Sequence, residues 1–202
     1  MSELEVNVEP QVVHPSRDVI GEGPIWDERA RVFYWIDIFG NCVHALAADR
    51  GGYRCYDVGQ AIGTVVPRRR GGLMLALHHG FAAFDLDSGD VTPVADPEHD
   101  LPSNRFNDGK CDPAGRFWAG TMDFHAQGVT GSLYCLDVDG TVSRKLTDVG
   151  VSNGIAWSHD GATMYFIDTV RNTVVAYDFD LRPSTFDLRL LVTATRSDGG
   201  RI

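Results

Sequence analysis

Three short stretches hold the side chains best suited to chemistry. They are GEGPIW (21–26), RFNDGKCD (105–112) and VSNGIAW (151–157), and each sets a carboxylate or amide beside glycine ahead of hydrophobic residues. Glu22, Asn107 and Asn153 offer hard oxygen donors, which suit Ca²⁺, Mg²⁺ or Mn²⁺, with Zn²⁺ admissible in a mixed site. The adjacent glycines let the backbone approach closely and take positive φ. Each residue also has a plainer reading on its own. Glu22 reads as an exposed turn residue, Asn107 and Asn153 as turn formers, Asp108 as a cap of its own turn, and Arg105 and Lys110 as surface charges. Only a fold that brings the three stretches together makes a site of them.

The elements available to do so are strands. Turn signals recur every 8–12 residues, with short runs rich in Val, Ile, Phe, Tyr and Trp between them, and no stretch sustains a helical apolar period. One series of runs is VFYWIDI (32–38), GLMLALH (72–78), RFWAGTM (116–122) and TMYFIDT (163–169). A second trails it: VHALAAD (43–49), FAAFDLD (81–87), SLYCLDV (132–138) and VVAYDFD (174–180). With Leu46, Phe84, Cys135 and Tyr177 as equivalent points, the separations are 38, 51 and 42 residues. Such a period, with about four short strands per unit, predicts an all-β chain folded as a β-propeller, with a sandwich as the alternative. Stacking of blades on both faces explains why the strands read as nearly continuous apolar runs. In a propeller the innermost strands line a channel, so polar residues just before them are expected to converge at one mouth. Trp26, Trp118 and Trp157 read as blade packing, and His78-His79 as a hairpin end.

Composition narrows the function classes. Hydrophobic content of 43% with 23% charged residues is ordinary for a globular protein. The net charge of -10 disfavours nucleic acid. The basic run Arg68-Arg69-Arg70 sits at an expected turn and reads as a solvated hairpin loop. No apolar run approaches the roughly 18 residues that span a bilayer. The start, MSELEVNVEPQ, lacks the basic and apolar regions of a secretory signal, so a cytoplasmic location away from membranes is expected. Cys42, Cys55, Cys111 and Cys135 form no CxxC pair and read as separate small apolar residues, with no structural zinc expected.

GEGPIWDERARVFYWIDI, RFNDGKCDPAGRFWAGTM and SNGIAWSHDGATMYFIDT together resemble the gluconolactonase and regucalcin (senescence marker protein) family. The likeness covers nearly the whole chain, and its second motif is long and specific. It implies a six-bladed propeller with one divalent metal, Ca²⁺, Zn²⁺ or Mn²⁺, in its channel. By the resemblance Glu22 and Asn153 are metal ligands, Asn107 faces substrate near the metal, and Arg105 hydrogen-bonds substrate oxygens. His125 stands where the family often has an acidic substrate contact. The family's remaining ligand and general base is an aspartate in a Pro-Asp-Gly turn, which the register places just beyond Ile202. Asp198 in SDGG falls several residues early and reads as loop. The expectation is therefore residues 1–202 as one propeller domain, C-terminally incomplete after about four blades, with little activity of its own.

The implied reaction is metal-dependent hydrolysis of a small-molecule sugar lactone, gluconolactone or a related aldonolactone, to the aldonic acid. No Ser-His or Cys-His signature such as GxSxG argues for a covalent intermediate. The alternatives are a non-catalytic calcium-binding propeller of the regucalcin type and a scaffold for protein partners. The pattern carries no statement of oligomeric state.

Overall fold

A computed structural model describes residues 9–49, 52–181 and 189–195, which form four antiparallel sheets of four strands, each a meander in chain order. The first blade holds β1 (Gly21–Asp27), β2 (Val32–Asp37), β3 (Cys42–Ala47) and β4 (Tyr53–Asp57). The second holds β5 (Ile62–Pro67), β6 (Leu73–Leu77), β7 (Gly80–Phe84) and β8 (Val91–Ala95). The third holds β9 (Asn104–Cys111), β10 (Phe117–Asp123), β11 (Gly131–Leu136) and β12 (Val142–Val149). The fourth holds β13 (Ser152–Trp157), β14 (Thr163–Asp168), β15 (Thr173–Asp178) and β16 (Arg189–Thr195). Leu46, Phe84, Cys135 and Tyr177 are each the fifth residue of the third strand of their blade, so the repeat read from sequence is real. The described residues contain no helix, and hence none long and apolar enough to cross a membrane.

Successive residues of a strand face opposite sides of its sheet, and here both sides are buried. In β6, Leu73, Leu75 and Leu77 enter the core shared with the first blade, whereas Ala76 enters the core shared with the third. In β10, Phe117 and Ala119 pack toward the second blade and Trp118 toward the fourth. Each large side chain so buried contributes roughly 1.5–3 kcal/mol. The arginine run lies in the β5–β6 hairpin, with the Arg68 N–H donating to the Gly72 carbonyl at 3.0 Å. His78 and His79 form the β6–β7 turn.

Three expectations need correction. The quoted hydrophobic runs are second and third strands, and the first strands lie innermost, β5 lying against β1 and β9, and β9 against β13. The polar residues therefore sit within the innermost strands and not in turns before them. Of the tryptophans, Trp118 is fully buried and Trp157 packs on it, but Trp26 is 41% exposed and its indole N–H donates to Glu28. The cysteines divide as well. Cys135 and Cys111 pack into cores, whereas Cys42 and Cys55 meet beside His44 on the first blade.

The sheet entrances are tied by aspartates at the ends of second strands. Asp37 accepts the N–H groups of Val19, Ile20 and Gly40, and Asp168 accepts those of Gly150, Val151, Val170 and Arg171. Each thus fixes the approach to its blade's first strand and the turn after its second. That holds the innermost strands in place.

Candidate functional site

All four innermost strands break register at a corresponding point. The shifts fall between Glu22 and Ile25, between Ile62 and Thr64, around Asn107 and Asp108, and between Asn153 and Ile155. A bulge leaves residues unpaired in the ladder and re-aims their side chains. Gly23 and Gly154 occupy equivalent places with φ of 58° and 57°, the left-handed region where a side chain is strained. Gly63 makes a different contribution. A Cβ there would overlap the backbone carbonyls of Phe106 and Asn107, so its absence lets the second and third blades close up.

The bulges enclose a cavity of about 300 Å³, whose lining includes Glu22, Thr64, Asp108, Lys110, Gly154 and Ile155. Asp108 is built into its wall. One carboxylate oxygen accepts the Gly109 N–H at 2.8 Å, and the other accepts the Gly154 N–H at 2.7 Å from the next blade. Burial raises the Asp108 pKa, against the opposing effect of those two donors and of Lys110. Glu22 is raised too, first by desolvation and next by the negative charge of Asp108, with Arg105 pulling the other way. Two carboxylates thus share one cavity that disfavours their ionised forms.

Arg105 is 6% exposed, and its terminal nitrogen donates to the Asn107 side-chain oxygen at 2.8 Å and the Phe106 carbonyl at 3.0 Å. Its Nε–H is buried without a partner. The guanidinium lies 5.4 Å from the centre of the Phe39 ring and 5.9 Å from that of Phe124, at cation–π range. Desolvation lowers its pKa, countered by Glu22. Asn107 is fixed at its other end, donating to the Ser152 carbonyl of the fourth blade at 2.7 Å.

The structure thus brings Glu22, Arg105 and Asn107 into one neighbourhood with Asp108. Asn153 stands beside the cavity through Gly154, and its amide nitrogen donates to the Thr169 hydroxyl at 3.3 Å. His125 is exposed, its ring edge-on to Phe124, which also faces Arg105. Asp198 lies outside the described residues. Sequence reasoning undervalued Asp108, which bridges two blades, and passed over Thr64, whose hydroxyl donates to the Gly109 carbonyl at 3.1 Å. The run of polar residues in RFNDGK was the available signal for Asp108; Thr64, in a wholly apolar run, gave none.

Comparison with known proteins gives these features a context. Residues 20–202 match the family described as SMP-30/Gluconolactonase/LRE-like region. The chain is 34% identical to regucalcin of Danio rerio over 196 residues, which is 96% of this chain and 66% of that protein. It is 33% identical to a 6-deoxy-6-sulfogluconolactonase of Pseudomonas putida over 183 residues, 91% of this chain and 63% of the relative. Among solved structures, a calcium-binding regucalcin of Agrobacterium tumefaciens str. C58 superposes with a TM-score of 0.81 at 29% identity, covering 89% of this chain and 61% of the other. A luciferin-regenerating enzyme superposes with a TM-score of 0.80 at 30% identity, covering 88% and 60%. The chain thus spans roughly three fifths to two thirds of the length of these relatives.

Proposed function

Because the chain belongs to the SMP-30/gluconolactonase/LRE-like family, we propose that its cavity serves the divalent-cation-dependent hydrolysis of a sugar lactone, gluconolactone or a related aldonolactone. The observation that carries this reading is the pair Glu22 and Asp108. Two carboxylates in one cavity, both with raised pKa, are a donor set that a dication would relieve. All the oxygen donors are hard, which favours Ca²⁺ or Mn²⁺ and admits Zn²⁺. Glu22 and Asn153 would hold the ion, with Asp108 at their side. A bound dication supplies Lewis acidity toward a lactone carbonyl.

The chain's own groups do the rest. Arg105, its position fixed by its hydrogen bond to Asn107, would bind a ring or hydroxyl oxygen of the lactone. Phe39 and Phe124 stand against the guanidinium at cation–π range and help to orient it. His125, exposed and edge-on to Phe124, would meet the outer hydroxyls. Asp108, a carboxylate of the cavity wall whose pKa burial raises, would accept a proton as water adds to the carbonyl carbon, a role that the family resemblance alone gives to an aspartate in a Pro-Asp-Gly turn. The ring C–O bond breaks, its oxygen leaves as a hydroxyl, and one water is consumed per aldonic acid formed. This work in the cytoplasm would leave the cysteines reduced.

A pH-stat assay of the purified protein on gluconolactone and related aldonolactones, with and without Ca²⁺, Mn²⁺ or Zn²⁺, tests the reading. Cation-dependent acid release that Glu22→Ala abolishes is expected; full cation-stimulated turnover in that variant refutes the site. The carboxylate pair also favours a second reading, cation binding without catalysis. Calorimetric uptake of Ca²⁺ with no acid release from any lactone would select it.

A further inference from the structure

The cavity is not the only place where metal-ligating atoms converge. Cys42 and His44 stand two residues apart on β3, so both project from the same face, the one turned away from the second blade. Cys55 on β4 pairs directly with His44 and joins them. One ligand atom from each of the three lies within 4.8 Å of the others, and His44 Nε2 is 3.3 Å from Cys42 Sγ. A fourth group comes from outside the sheet. The segment leading into β1 crosses this face and brings Asp18 Oδ1 to 3.2 Å from the same Nε2.

These separations are close to what one ion would impose. Ligands bound at about 2.0–2.3 Å in a tetrahedron stand about 3.3–3.8 Å apart. The outer groups are already arranged as such a site requires. Tyr53 OH engages His44 Nδ1 at 2.7 Å, which turns Nε2 toward the sulfurs, and Trp35 stacks on the imidazole with ring centres 4.7 Å apart. Trp35 Nε1 and Ser16 Oγ both donate to Asp18 Oδ2, leaving Oδ1 to face the cluster. Asp37 accepts the N–H groups of Val19 and Ile20, pinning the chain next to Asp18.

We propose that Cys42, His44, Cys55 and Asp18 form a tetrahedral site for a soft divalent cation, zinc foremost, separate from the oxygen-lined cavity. Two thiolates and an imidazole favour zinc over calcium or magnesium. All three protein positions in the sheet are supplied by adjacent strands, so the ion would clamp the crossing segment onto the first blade.

Cobalt is the probe, because tetrahedral Co²⁺ with thiolate ligands has visible d–d absorption and near-ultraviolet charge-transfer bands. The purified protein, reduced and stripped with chelator, is titrated with Co²⁺ and then with Zn²⁺. One equivalent of Co²⁺ is expected to give both sets of bands, and one equivalent of Zn²⁺ to bleach them. Cys55→Ser changes an exposed side chain and is expected to weaken zinc binding at least tenfold and to lower the charge-transfer intensity. Glu22→Gln is expected to leave the spectrum unchanged, which separates this site from the cavity. The proposal is overturned by an absence of tetrahedral bands, by bands that survive Cys42→Ser with Cys55→Ser, or by a Cys42–Cys55 disulfide in freshly isolated protein that persists in place of metal.

Discussion

If the cavity holds a cation, losing a ligand should make the cation-free protein more stable, not less. Glu22→Gln keeps the side chain's shape and removes one of two like charges. Glu22 is only partly withdrawn from solvent and makes no hydrogen bond to offset that gain among those described, so the relief is that of a screened pair, about 0.2–1 kcal/mol. For a chain of this length 1 kcal/mol moves Tm by roughly 2–4 °C, so Glu22→Gln should melt up to about 4 °C above wild type in chelator. With cation the order reverses. A ligand at one hundred times its Kd stabilises by about 2.7 kcal/mol, which raises the wild-type Tm by roughly 5–11 °C, and Glu22→Gln should lose most of that rise.

The pH dependence follows from the direction of the shifts. Burial and mutual repulsion raise both carboxyl pKa values in the fold, so the folded state favours their protonated forms. The gap between variant and wild type in chelator should vanish below the ordinary carboxylate range, near pH 4, grow as pH rises through the raised values, and stay constant above them. Scanning calorimetry with Ca²⁺ or Mn²⁺ reads all of this, and avoiding Zn²⁺ keeps the cysteine–histidine cluster out of the measurement. A Glu22→Gln variant that melts lower than wild type in chelator, yet retains the whole cation response, would refute the reasoning.

Other perturbations test the frame around the site. Gly63→Ala forces a methyl against the backbone of the third blade and should cost about 1–3 kcal/mol in urea unfolding. Asp37 is opposed by burial, but the N–H groups of Ile20, Val19 and Gly40, with His44, hold its pKa below the usual carboxylate value. Asp37→Asn should therefore cost about 1.5–3 kcal/mol at pH 7, a penalty that shrinks as pH falls through the lowered pKa and wild type also loses the charge. Arg105→Lys keeps the charge but loses the planar fork held by Asn107 and the Phe106 carbonyl, and should raise KM for an aldonolactone at least tenfold with less effect on kcat.

Much of the fold was legible because a propeller repeats its solution. Turn spacing and the apolar runs gave the class, and the spacing of third strands survives as a positional equivalence down to Leu46 and Tyr177. The site was legible in its residues but not in its geometry. Alternation predicts side-chain direction only while a ladder keeps register, and every innermost strand loses register where the polar residues stand. That is why Asp108 read as a local cap when it spans two blades to Gly154.

The cysteine–histidine cluster was hidden for another reason. Cys42 and Cys55 are thirteen residues apart and diagonal across a strand pair, while Asp18 arrives from outside the sheet, so no sequence spacing encodes the group. Its existence on a blade that also lends Glu22 to the oxygen-lined cavity has a physical consequence. A cation sorts between the two by donor softness more than by size: carboxylates and amides retain calcium or manganese, whereas sulfur and imidazole draw zinc away. Zinc added to assay the cavity would therefore be taken up first by the cysteine–histidine cluster, where it orders the segment leading to β1. Because β1 carries Glu22, occupancy of the softer site bears directly on how firmly the harder one is held.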